Sequence, residues 1–178
     1  MMFNKAKQIA FLLPPKCGTH AVVDFFHSAG WHSLAPVHAS LEWFEKKYKN
    51  LQNYMVYAFM RDPLFRFESA LRHISRVNEV KFHSYDQMID DFSTLSIKYK
   101  LMLFPQHHWI SDPRVTPLDF DNLESELHRI TETAFPVKQL NAAGDSWRSE
   151  ITDKVRAFVR EYYAADYALA KDRLGKEY

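Results

Sequence analysis

Short apolar runs alternate along the chain with longer stretches in which apolar residues recur at helical spacing. The runs lie at 8–13, 31–34, 54–60 and 115–120, and each has the length of a strand. Helical spacing predicts helices at 21–26, 41–48, from 64 onward, at 122–131 and at 148–174, with an irregular helical stretch over 80–103. Strands that alternate with helices predict an α/β fold, a three-layer sandwich with a mainly parallel sheet.

Length and composition narrow the class of protein. A chain of 178 residues without a recognisable linker predicts one domain over 1–178. The 23 basic and 22 acidic residues give a net charge of +1, which argues against a nucleic-acid-binding protein. The single cysteine, Cys17, excludes an internal disulfide and fits a reducing compartment. No apolar run reaches the length of a membrane span, so we expect a cytoplasmic protein with no membrane contact.

A short loop between the first predicted strand and the first helix carries the chemistry of an anion site. Its residues are Lys16, Cys17, Gly18, Thr19 and His20. The amides at a helix start point toward a bound anion, glycine lets the backbone approach it, and lysine adds positive charge. The pattern is not a Walker A loop, because the lysine precedes a single glycine. An ordinary strand-to-helix turn with a surface lysine is the alternative.

A second candidate anion site follows the strand at 54–60. Arg61 closes that strand, and Ser69 lies eight residues later on the next predicted helix. Ligands of open α/β sheets bind at the carboxyl ends of the strands, where Arg61 and Ser69 could converge on one phosphate. The alternative is that Arg61 pairs with a nearby acid and Ser69 caps or packs.

Taken together, the two segments resemble the sulfotransferases that use 3'-phosphoadenosine 5'-phosphosulfate (PAPS), closest to the carbohydrate and uronyl 2-O-sulfotransferases. The strings at 104–110, 118–123 and 162–167 are also similar to that group. The resemblance implies a P-loop-like sulfotransferase fold, PAPS as donor co-substrate, and a hydroxyl acceptor such as a carbohydrate. It assigns the loop at 16–20 to the 5'-phosphosulfate, and Arg61 and Ser69 to the 3'-phosphate.

The chain departs from the family pattern in several places. His20 stands where a hydroxyl residue commonly follows the Gly-Thr pair. The chain is also short for the family, and we expect it to lack the membrane anchor common there. A small acceptor site, or a homo-oligomer in which a second subunit completes the site, is therefore a further hypothesis. The segment that closes over adenine is not recognisable, and 141–148 is the best candidate.

In-line transfer of a sulfuryl group requires a base for the acceptor hydroxyl and a cation at the leaving phosphate. Lys16 is the candidate cation. Among nine histidines, His38 follows the second predicted strand, and we expect it at the same sheet edge as Lys16 and Arg61. The resemblance agrees, since uronyl 2-O-sulfotransferases carry a catalytic histidine at a similar distance before the Arg-Asp-Pro motif. The alternatives are His20, another histidine or a carboxylate.

Other reactive or aromatic residues receive structural interpretations. His107 and His108 are adjacent rather than at the i, i+4 spacing of helical metal ligands, and we expect no metal. Cys17 is interpreted as loop filler rather than a nucleophile. Packing is the first interpretation of Trp43, Trp109 and Trp147, and stacking on a sugar is the lesser one. A solvated helix face is the first interpretation of Lys46, Lys47 and Lys49, and attraction of an anionic acceptor is the lesser one.

Two other functions remain open at the level of sequence. A small P-loop-like ATP phosphotransferase would need a magnesium-binding hydroxyl after the loop lysine and a Walker-B-like acid, and neither is recognised. A non-catalytic nucleotide-binding module would keep the anion loops without turnover.

Overall fold

The computed structural model describes residues 1–48, 50–77, 82–138 and 149–178. The chain groups into two compact units. The first unit comprises Met1–Arg61 and Gln106–Asn141, and the second comprises Asp62–Pro105 and Ala142–Tyr178. Because two compact units can form one domain or two, the single domain over 1–178 stays a prediction.

Within the described ranges, the strands are β1 (Met2–Asn4), β2 (Ile9–Leu12), β3 (His32–Ser33), β4 (Met55–Met60) and β5 (Val115–Asp119). Over the same ranges, the helices are α1 (Thr19–Ser28), α2 (Leu41–Lys47), α3 (Pro63–Val77), α4 (Tyr85–Asp90), α5 (Ile97–Leu103), α6 (His107–Ile110), α7 (Leu123–Thr131), α8 (Asp153–Tyr162) and α9 (Ala164–Leu174). None of the described helices is long and apolar enough to cross a membrane.

The five strands form one mixed sheet in the order β3-β1-β2-β4-β5. β4 lies parallel to both β2 and β5, whereas β1 lies antiparallel to both β2 and β3. The α/β class is confirmed, but the sheet is partly rather than mainly parallel. The difference arises from β1, a three-residue strand that folds back onto β2 and that the sequence pattern does not predict.

The direction of β3 decides which chain segments meet at one edge of the sheet. Because β3 is antiparallel to β1 and β1 is antiparallel to β2, β3 runs in the same direction as β2, β4 and β5. The segments that follow β2, β3 and β4 therefore leave the sheet at the same edge. They contain Lys16, His38 and Arg61, respectively.

The core of the first unit packs α1 and α7 against the sheet. All four residues of β2 are buried, as expected for a central strand that is a continuous apolar run. The Phe11 ring lies 5.1 Å from the ring of Phe26 on α1 and 5.2 Å from that of Phe59 on β4. Burial of each such side chain contributes about 1.5–3 kcal/mol of transfer free energy. This packing fixes α1, and with it the loop that precedes α1.

The second unit is helical over its described residues. Phe67, Leu71 and Ile74 on α3 are fully buried, as are Val155 on α8 and Tyr163 at the end of α8. The predicted helix at 148–174 is two helices, α8 and α9, with the break at Tyr163.

The Arg-Asp-Pro segment provides the start of α3. Asp62 Oδ1 accepts hydrogen bonds from the backbone N–H of Leu64 at 2.7 Å and of Phe65 at 3.2 Å. Pro63 occupies the first helical position, where the absence of an N–H costs nothing. Arg66, one turn later, is fully buried and donates to the carbonyls of Met102 and Phe104. Asp62, Pro63 and Arg66 thus have structural roles within the second unit.

Candidate anion site and histidine-lined cavity

The loop between β2 and α1 turns through two residues with left-handed backbone. Lys16 has a φ of 67° and Gly18 a φ of 70°. The backbone N–H of Cys17 donates to the carbonyl of Pro14 at 3.4 Å, which closes the turn. A positive φ is uncommon for a residue that carries a Cβ, and such residues cluster at functional sites. Lys16 is one of three non-glycine residues with this backbone in the described part of the chain.

Gly18 is required by its neighbours as well as by its backbone angle. A Cβ at this position would lie 2.8 Å from Cε2 of Phe120 and 3.1 Å from Cδ1 of Leu123. Both distances are shorter than carbon atoms tolerate without movement. The start of α1 therefore packs directly on the segment that follows β5.

The first turn of α1 has the electrostatics of an anion site. Gly18 provides no side-chain cap, and no acidic residue lies in the first turn of this fully described helix. The leading amides of an α-helix have no acceptor within the helix, so those of Thr19 and His20 are directed out of its amino end. The Thr19 hydroxyl donates to the carbonyl of Pro14 at 3.4 Å, and the His20 side chain is exposed.

Arg61 lies beside this loop at the end of β4. Its guanidinium donates from Nη1 to the carbonyl of Lys16 at 3.3 Å, and its Cζ lies 4.9 Å from the centre of the Phe120 ring. A guanidinium carries five N–H donors in a planar fork. The structure thus brings the guanidinium predicted for the second anion site to the backbone of Lys16, in the loop predicted for the first.

Gln106 joins the loop to Arg61 from inside the protein. Its side chain is fully buried, and its Oε1 accepts from the backbone N–H of Arg61 at 2.9 Å while its Nε2 donates to the Arg61 carbonyl at 2.7 Å. The same Oε1 accepts from the thiol of Cys17 at 3.1 Å. Cys17 is buried, which agrees with its interpretation as a structural residue of the loop.

His38 lies next to the carboxyl end of β2. Its Nδ1 is 2.6 Å from the carbonyl oxygen of Leu13. A carbonyl only accepts hydrogen bonds, so Nδ1 is the donor, and the neutral imidazole carries its basic lone pair on Nε2. The indole of Trp109 donates to the His38 carbonyl at 2.8 Å and holds this segment in place. The geometry gives His38 the tautomer that a base acting through Nε2 requires.

A cavity of about 650 Å³ opens beside His38 and the start of α1. The lining residues are Thr19, His20, Val23, Asp24, His27, Val37 and His38. This volume falls within the range of small-molecule sites, which is roughly 300–1,000 Å³. Thr19 and His20 of the anion loop (residues 16–20) and the candidate base His38 therefore line the same cavity.

Several predicted residues are not part of this arrangement. Ser69 lies half-buried on α3 in the second unit, so its convergence with Arg61 stays a prediction. Trp109 is buried and holds the His38 segment, which contradicts a stacking role for its ring. Trp43 is exposed, with the Lys47 ammonium 5.2 Å from its ring centre, and Lys46 pairs with Glu42. The candidates Trp147, Lys49 and 141–148 lie outside the described residues.

No metal centre is formed by the residues that the structure describes, since no group of three suitable side chains converges. The His107 and His108 rings lie 4.4 Å apart on the short helix α6. Two adjacent imidazoles do not by themselves provide the four ligands of a structural zinc site.

Sequence reasoning gave no role to two residues of this site, Gln106 and Phe120. Both belong to strings that resemble the sulfotransferase group, at 104–110 and 118–123. Their contacts with the loop and with Arg61 span 45 or more positions, so no local pattern could have identified them. For Gln106, a further sequence signal is its position directly after a proline in an apolar segment.

Comparisons of this chain with protein-family models, with curated proteins and with solved structures found no match.

Proposed function

We propose that this protein is a PAPS-dependent sulfotransferase that transfers a sulfuryl group to a hydroxyl, with a carbohydrate as the candidate acceptor. The observation that carries the proposal is that the segments with Lys16, His38 and Arg61 leave the sheet at the same edge, where the Arg61 guanidinium bonds the Lys16 carbonyl beside the start of α1. The finer fold assignment, a three-layer P-loop-like sulfotransferase fold, is part of this proposal and rests on the same loop.

Two cationic groups support a donor that is phosphorylated at both ends. The amides of Thr19 and His20 and the ammonium of Lys16 suit the 5'-phosphosulfate, because an anion at a helix start gains both hydrogen bonds and a favourable dipole. The guanidinium of Arg61 suits the 3'-phosphate, since its planar fork matches two phosphate oxygens. The Phe120 ring under Arg61 limits the directions in which that fork can point.

The transfer step uses these groups in fixed roles. The acceptor oxygen forms a bond to sulfur while the bond between sulfur and the 5'-phosphate oxygen breaks. The acceptor proton passes to Nε2 of His38, and the charge that develops on the leaving phosphate is stabilised by Lys16 and the helix amides. The products are a sulfate ester and adenosine 3',5'-bisphosphate.

The acceptor enters through the histidine-lined cavity in this proposal. Imidazoles, the Thr19 hydroxyl and the Asp24 carboxylate offer both hydrogen-bond donors and acceptors, which suits a ligand with several hydroxyl groups. Val23 and Val37 provide an apolar surface for a ring face. A volume of about 650 Å³ accommodates a small saccharide.

The test is a comparison of nucleotide affinities by titration calorimetry. We expect adenosine 3',5'-bisphosphate to bind about 10-fold or more tighter than AMP, because a charged hydrogen bond contributes roughly 1.5–3 kcal/mol. In Arg61→Ala this preference should largely disappear. Arg114→Ala is the matched control, since Arg114 is an exposed arginine of the same unit that pairs with Glu45 and Asp112. Its removal changes the net charge equally.

Two results would contradict the proposal. Equal affinity of the wild-type protein for the bisphosphate and AMP would remove the 3'-phosphate assignment. Tighter binding of ATP than of the bisphosphate, with turnover that EDTA abolishes and magnesium restores, would favour a phosphotransferase instead.

A further inference from the structure

We infer that Gln106 is a positioning residue that sets the spacing between the 5'-phosphosulfate loop and the 3'-phosphate-binding guanidinium. The inference rests on the proposed function and deepens it. Gln106 is not assigned to the binding of either phosphate. It acts through the two segments that would bind them.

The contacts of Gln106 with Arg61 form a two-point clamp on one residue. The amide oxygen accepts from the Arg61 N–H at 2.9 Å, and the amide nitrogen donates to the Arg61 carbonyl at 2.7 Å. A pair of opposite hydrogen bonds to one residue is what a neighbouring strand would supply. Gln106 therefore continues the pairing of β4 past its last residue, Met60, and fixes the direction in which Arg61 leaves the sheet.

A third contact ties the same amide to the loop. The Cys17 thiol donates to Oε1 of Gln106 at 3.1 Å, and Cys17 lies between the two left-handed residues, Lys16 and Gly18. One buried side chain thus holds the backbone that presents both predicted phosphate-binding groups. The bond from Arg61 Nη1 to the Lys16 carbonyl closes the arrangement on the outer side.

Burial makes this arrangement stiff. Gln106 has no exposed surface, and a buried polar group that loses its partner has no water to replace it. A change at Gln106 should therefore alter the spacing of the two phosphate groups rather than remove either charge. The affinity for a nucleotide with two phosphates should fall more than the affinity for a nucleotide with one.

Two variants separate the positioning role from general destabilisation. Gln106→Leu keeps most of the volume and deletes the hydrogen bonds to Arg61 and Cys17 described above. In Gln106→Glu, an ionised carboxylate still accepts from Arg61 N–H and Cys17 but faces the Arg61 carbonyl with an oxygen that cannot donate. A protonated carboxyl can donate there and restores the pattern of the amide. Thr131→Val is the control, because it deletes a buried hydrogen bond to Leu127 on α7 in the same unit.

The experiment measures Kd for adenosine 3',5'-bisphosphate and for AMP in each variant by titration calorimetry. We expect Gln106→Leu to weaken bisphosphate binding about 10-fold or more while AMP binding changes less than about 3-fold. The bisphosphate affinity of Gln106→Glu, divided by that of the wild-type protein at the same pH, should rise as the pH is lowered from 8 to 5.5. Thr131→Val should leave both affinities unchanged.

The outcomes are distinguishable from failure of the proposed function. A wild-type protein without preference for the bisphosphate overturns the proposed function and this inference with it. A wild-type preference that Gln106→Leu retains, or equal losses for the two nucleotides, overturns the positioning role alone. If Gln106→Leu does not fold, Gln106→Glu decides, and a pH-independent affinity ratio overturns the inference.

Discussion

Substitution of Gly18 by alanine tests whether the anion loop is held by the packing that the structure shows. The added methyl group has two separable consequences. The backbone of Gly18 has a φ of 70°, which disfavours any residue with a Cβ. The new Cβ would also lie 2.8 Å from Cε2 of Phe120 and 3.1 Å from Cδ1 of Leu123.

The Phe120 ring has little freedom to relieve this overlap. It packs edge-to-face against Phe59, with ring centres 6.2 Å apart, and the Arg61 guanidinium lies 4.9 Å from its centre. The backbone term costs about 1–2 kcal/mol. Forcing one extra carbon into a packed site costs typically a further 1–3 kcal/mol. We expect Gly18→Ala to lower the free energy of unfolding by about 2–5 kcal/mol.

Gly30 offers a matched control in the same unit. Its φ is 76°, nearly the same as that of Gly18, but no atom lies within 4 Å of a Cβ built there. Gly30→Ala should therefore cost only the backbone term. The difference between the two variants isolates the clash, about 1–3 kcal/mol.

The assay is equilibrium unfolding in guanidinium chloride, with the free energy obtained by linear extrapolation. A double-mutant cycle with Phe120→Ala adds a direct check, because removal of the ring should relieve the shorter of the two overlaps and make the two substitutions non-additive. Equal destabilisation by Gly18→Ala and Gly30→Ala, with additive effects in the cycle, would refute the packing argument.

Two further predictions concern pH. His38→Ala should lower turnover about 10²–10⁴-fold with nearly unchanged bisphosphate affinity. The rise of the wild-type rate with pH should be absent in this variant, because only a neutral imidazole accepts the proton. A folded variant with near-normal turnover would exclude His38 as the base. In the second unit, burial, assisted by the charge of Glu68, raises the pKa of Tyr85 to about 12 from the ordinary 10. The unfolded chain therefore loses this proton first, so the contribution of Tyr85 to stability is complete below pH 10 and is lost as the pH rises toward 12. Denaturant unfolding should show that the free energy of unfolding falls less between pH 9 and pH 11 for Tyr85→Phe than for the wild-type protein or for Tyr54→Phe. An equal fall in all three proteins would contradict the assignment.

Local sequence patterns were sufficient for much of the secondary structure. The apolar runs at 8–13 and 54–60 contain β2 and β4, and the strand predicted at 115–120 contains β5. β2 and β4 could be predicted because a central strand of a parallel sheet is apolar on both faces, whereas β5 is an edge strand that buries Val115, Pro117 and Leu118. The helices α1, α2, α3 and α7 also lie at their predicted positions, because each has an apolar stripe along one face.

Elements that depend on distant contacts were not predictable. β1 has three residues, too few for a periodic pattern, and it exists because β2 and β3 flank it. The break between α8 and α9 falls within a continuous helical pattern. It occurs at Tyr163, whose buried hydroxyl donates to the carbonyl of Leu103, 60 positions away.

The candidate anion-binding groups could be identified from local sequence: a lysine and a glycine between a strand and a helix, and an arginine at the end of another strand. Those motifs are local, because a turn and a helix start are built from neighbouring residues. How these groups are held depends on contacts between distant segments. The insertion of β1 directs β3 so that His38 reaches the carbonyl of Leu13, and Gln106 joins Cys17 to Arg61 across 89 and 45 positions. Such contacts form only when the core packs, since hydrogen bonds between distant segments depend on the fold rather than on the neighbouring sequence.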